Sequence, residues 1–141
     1  MRILTALLLI GLASETWAEI QVGDFFTCKG QRDVNVSDRF GIRNRENFSY
    51  TINVESWDKV IVKSEDFGKR TYDIEVIQRY RPPSDKLRGP ISIRANWKKY
   101  SMRDGRQQSV YENLILTERE LSIVTHGILF VSVVLAKCEK F

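Results

Sequence analysis

The chain reads as a small all-β domain: an antiparallel meander of about eight strands, stapled by one disulfide. Three observations carry this reading. Short segments alternate apolar and polar residues with a period of two, and Gly, Pro, Asp and Asn punctuate them. No stretch beyond a turn or two keeps a 3.6-residue period. The two cysteines, Cys28 and Cys138, stand near the two ends of the domain.

Residues 1–18 have the build of a signal peptide. Arg2 supplies the positive start, Ile3 to Ala13 an apolar run, and Thr16 and Ala18 the small residues a signal peptidase reads. The run is too short to span a bilayer, so no transmembrane segment is expected. Residues 19–141 then form a single β domain, exported to a periplasmic or extracellular location. Two cysteines in an exported chain predict one bond between Cys28 and Cys138.

Phe25 to Lys29 reads as the first strand, which Val34 and Val36 could continue. Ser37 to Asn47 reads as a charged loop. Phe48, Tyr50, Ile52 and Val54 alternate with polar residues as a half-buried strand, and Val60 and Val62 mark the next. Glu65-Asp66-Phe67-Gly68 is a hairpin turn returning through Tyr72, Ile74 and Val76. Residues 80–90, with Pro82-Pro83 and Gly89-Pro90, form a connector.

Ile91, Ile93, Ala95 and Trp97 open a further strand, with Arg94 and Lys98 on its other face. Asp104-Gly105 is the strongest hairpin signal in the chain. The return strand runs from about Gln108 to Leu116, and Leu121 to Thr125 follows it. The final stretch, Ile128 to Cys138, is apolar on both parities and is expected to be buried on both faces. A staple makes the first and last strands neighbours. A closed or nearly closed, lipocalin-like barrel is therefore favoured over a two-sheet sandwich.

Composition and motifs argue against an enzyme. His126 is the only histidine and sits beside Gly127 in an apparent turn. Both cysteines serve the disulfide, and the acid pairs Glu65/Asp66 and Glu118/Glu120 lie at turns. Nucleotide-loop, zincin and nucleophile-elbow motifs do not occur. No cofactor, metal site or catalytic residue is expected.

Charge is more informative. Residues 79–106 hold nine cations against Asp85 and Asp104, a balance of +7, whereas the whole chain carries +4. Tyr80, Trp97 and Tyr100 are interleaved with them. Arg79, Arg81, Arg88, Arg94, Lys98 and Arg106 are the candidate anion-binding residues. The expectation is a non-catalytic binding module that meets an acidic polymer, a lipid headgroup or an acidic protein surface. Nucleic acid is not an expected partner of an exported chain.

Two alternatives follow from the same residues. One is a secreted protein inhibitor or envelope interaction factor. Cys28, Cys138 and the size of the domain make it similar in outline to small exported bacterial lysozyme inhibitors. The Ser-Gly-x-x-Tyr segment of that family does not occur here. The other is a carrier of a small hydrophobic ligand in a barrel lined by Phe26, Tyr50, Tyr72 and Trp97.

Overall fold

A computed structural model describes residues 20–38, 41–79, 90–103 and 105–141. The expected signal peptide and most of the connector lie outside the described residues. Nine strands follow in chain order: β1 (Phe25–Ser37), β2 (Gly41–Arg45), β3 (Ser49–Val54), β4 (Lys59–Ser64), β5 (Gly68–Arg79), β6 (Pro90–Arg103), β7 (Arg106–Thr117), β8 (Glu120–His126) and β9 (Phe130–Lys140). All pairings are antiparallel, and β9 pairs with β1, so eight strands close into a barrel with β2 as an extra strand. Among the described residues no helix is long and apolar enough to cross a membrane.

Closure rests on a long β1–β9 ladder, from Phe26 opposite Lys140 to Ser37 opposite Phe130. Cys28 lies opposite Cys138, and the two are bonded with Cα atoms 4.0 Å apart. A bulge between Gly30 and Arg32 shifts the register and bends β1. An added Cβ at Gly30 would enter the Phe48 ring, so any side chain there would have to displace it.

Parity fills the interior. Phe26, Ile52, Val60, Tyr72, Ile93, Leu114, Leu121 and Ala136 belong to one buried cluster. Ile20 joins it from the segment before β1, which is tethered by Gly23 N–H to Val54 O (2.8 Å) and Val54 N–H to Asp24 O (3.0 Å). The segment before β1 thus contributes a fully buried side chain to the barrel core.

Two expectations need correction. The charged segment read as a loop contains β2, whose residues pair with Asp33 to Ser37 of β1. β1 outlasts β3 along its length, and β2 continues the wall beyond β3. The final strand is not buried on both faces. Val134, Ala136 and Cys138 face the core, while Val131 is 41% exposed and Leu135 42%. A barrel wall has one inner face only, so a strand paired on both edges still turns its other face outward.

Candidate functional site

The β6–β7 hairpin carries the candidate site. Its register runs from Ser92 opposite Thr117 to Arg103 opposite Arg106, which leaves a two-residue turn. Gly105 takes φ +71° in that turn, in the left-handed region that favours glycine. Ile93 and Ala95 face inward and are fully buried, with Trp97 partly buried behind them. Arg94 and Lys98 share the opposite face and are exposed.

Lys98 stands opposite Tyr111 and two residues before Tyr100. Its ammonium lies 4.6 Å from the centroid of each ring. Both rings remain accessible, Tyr100 at 54% and Tyr111 at 42%. Hydrogen bonding to Tyr100, and next to Tyr111, raises the Lys98 pKa and keeps the ammonium charged. Hydrogen bonds from Ser109 and then Lys98 lower the Tyr111 pKa. An exposed, charged nitrogen is thus held between two aromatic faces.

A groove of about 560 Å³ adjoins this cluster, lined by Asp73, Asn96, Lys98, Tyr111, Asn113 and His126 among others. Asp73 is held by Lys59 Nζ at 2.8 Å. The Asn96 Oδ1 atom is buried and accepts no hydrogen bond among the described residues. His126 is exposed and is the last residue of β8, opposite Tyr111.

Arg94 and Lys98 are therefore brought together. Arg79 and Arg106 are not: Arg79 stands opposite Pro90, and Arg106 opposite Arg103. Those positions are the two ends of β6, roughly 40 Å apart along the strand. Along the backbone, Arg79, Arg94, Lys98 and Arg106 therefore occupy spread positions on the β5–β7 wall. Arg81 and Arg88 lie outside the described residues. Among the described residues, Arg94, Lys98 and Lys99 take part in no ion pair.

Inside the barrel, behind this wall, lies a polar network that the sequence reading did not single out. Glu112 is 4% exposed. It accepts hydrogen bonds from Arg70 Nη1, from the Tyr72 hydroxyl (2.5 Å) and from Thr125 Oγ1 (3.2 Å). Arg70 is stacked between Phe67 (4.0 Å) and Trp97 (4.3 Å). Parity was the available signal: Glu112 shares a face with Leu114 and Leu116, and Arg70 with Tyr72. A carboxylate at an inward position requires a partner.

Among the described residues no group of three or more His, Cys, Asp or Glu side chains is placed to hold a metal ion. Compared with known proteins, the chain matches no family model, no curated protein and no solved structure.

Proposed function

We propose that this protein is an exported, non-catalytic binding module that meets an acidic partner with the outer wall of β6 and β7. One observation carries the reading: Arg94 and Lys98 are exposed on the outer face of β6 without an acidic partner among the described residues. The only acid placed on β7, Glu112, faces inward and is engaged by Arg70. The two tyrosines beside Lys98 add flat apolar surface to the charge. The Cys28–Cys138 bond is compatible with an oxidising, exported compartment. Phe26, Tyr50 and Tyr72, which a hydrophobic carrier would present to its ligand, pack into the core cluster, and this favours the surface over the interior.

Binding to heparin and to poly-glutamate, measured over a salt series, tests the reading. Affinity should fall steadily as salt rises, since screening and counterions oppose the attraction. Arg94→Glu with Lys98→Glu should weaken binding roughly tenfold or more. The matched pair Lys63→Glu with Lys137→Glu makes the same change in net charge on other strands. It should have a much smaller effect. Equal losses from the two pairs would reduce the observation to net charge, and no binding at low salt would remove the proposal.

A further inference from the structure

The β5–β6 ladder stops before its strands do. Pairing ends at Asp73 opposite Asn96. Beyond that point β5 continues back to Gly68 and β6 onward to Arg103, each paired only on its far side, to β4 and to β7. Continued register would set Thr71 opposite Lys98 and Lys69 opposite Tyr100, but neither pair forms. Two strand edges therefore face each other across a parting in the barrel wall.

The direction of their backbone groups follows from the bonds around them. Ile74 N–H donates to Asp58 O at 2.8 Å, on the β4 side. In an antiparallel strand, alternate residues direct both backbone groups to opposite edges. Lys69, Thr71 and Asp73 therefore direct theirs toward β6. On β6, a two-residue turn makes Arg103 and Arg106 exchange both hydrogen bonds. Lys99 and Trp97 then also point to β7, while Lys98, Tyr100 and Met102 point into the parting. The two edges present unmatched donors and acceptors to the same space.

The surroundings of that space select an occupant. Lys69, Thr71, Lys98 and Tyr100 are all exposed. Lys69 and Lys98 share the outer face on opposite banks, and neither has an acidic partner among the described residues. The stacked Arg70 and Trp97 side chains lie on the inner face, fixed by Glu112. Asp73 stands at the closed end, neutralised by Lys59.

We infer that this parting takes an extended acidic segment of a partner protein as an added strand. Strand addition supplies main-chain hydrogen bonds, and alternate side chains supply specificity. A guest strand paired to both banks would set its outward carboxylates one strand spacing, about 4.8 Å, from the strands that carry Lys69 and Lys98, and so needs the banks about 10 Å apart. Residues between them face Arg70 and Trp97 and are small or polar. The inference rests on the reading that the β6–β7 wall meets an acidic partner, and it commits that partner to an extended polypeptide.

The test uses the wild-type domain with three probes: a twelve-residue Thr-Glu alternating peptide, its fully N-methylated twin, and heparin. The peptide should bind at low salt and slow amide exchange at Lys98 and Tyr100 and at Lys69 and Thr71. The twin keeps every charge and loses every amide donor. It should bind roughly tenfold or more weakly, because two or three hydrogen bonds are lost. Equal binding of peptide and twin, or peptide binding that leaves those four amides unprotected, would overturn strand addition while leaving the acidic-partner reading intact. Heparin binding without peptide binding would do the same and point to a polysaccharide. If none of the probes binds at low salt, both readings fail.

Discussion

The Tyr72 hydroxyl donates to Oε2 of Glu112 at 2.5 Å, tying β5 to β7 across the interior of the barrel. The same carboxylate accepts from Arg70 and Thr125, so one buried acid joins three strands. Glu112→Ala would leave the Arg70 charge and the Tyr72 hydroxyl without their partner. It should destabilise by about 3–5 kcal/mol, the usual cost of breaking a buried pair from one side. The double variant Glu112→Leu with Arg70→Met should recover much of that loss, because no lone charge remains. Urea denaturation of the three proteins checks this, and additive losses would contradict it.

Alkaline pH should unfold the barrel through its buried tyrosines. Burial first, and then the neighbouring Glu112 charge, push the Tyr72 pKa well above its ordinary value. Burial, then Asp33, push Tyr50 up to about 12. The folded state thus resists losing these protons more than the unfolded chain does. Their contribution is fully present below the ordinary value of 10 and is lost as pH rises toward 12. Each such group removes about 1.4 kcal/mol per pH unit in that window. Melting temperature should be flat near neutrality and fall above pH 10; constancy to about pH 11.5 would contradict the assignment.

The bond between Cys28 and Cys138 spans 110 residues of sequence. It removes much of the conformational freedom of the unfolded chain, and Cys28→Ser should cost roughly 2–5 kcal/mol. β1–β9 pairing is extensive beyond the bond, so the variant should still fold at low temperature. Non-reducing peptide mapping of the parent protein should find the two cysteines in one linked fragment, and two free thiols would contradict the pairing.

Gly30 should not tolerate a side chain. A Cβ there would enter the Phe48 ring, which also lies under the Arg45 guanidinium at 5.1 Å. Gly30→Ala should therefore destabilise by about 1–3 kcal/mol, the range for overpacking. Adding Phe48→Leu should relieve part of the clash. Thermal melts of both proteins check this, and an unchanged Gly30→Ala melt would show that the ring moves aside at little cost.

Much of this fold is legible in the chain because strand parity is local. Alternation places Cys28 with Phe26 and Cys138 with Val134 on the inner face, and the bond follows. It also places Arg94 and Lys98 together on the outer face, and Asp104-Gly105 marks their hairpin. Beyond the hairpin turns and the staple, those patterns do not say which strand meets which, or where a ladder stops. β2 lies in a segment without alternation and exists because β1 runs on past β3. The outward face of β9 reads as core until closure leaves it outside the wall. Glu112 is visible as an inward acid, but Arg70 becomes its partner only when β5 and β7 are set across the interior. The parting of β5 from β6 is likewise a property of register. Side-chain facing is decided by each strand's own period, whereas partners, edges and gaps are decided by how eight strands share one closed circumference.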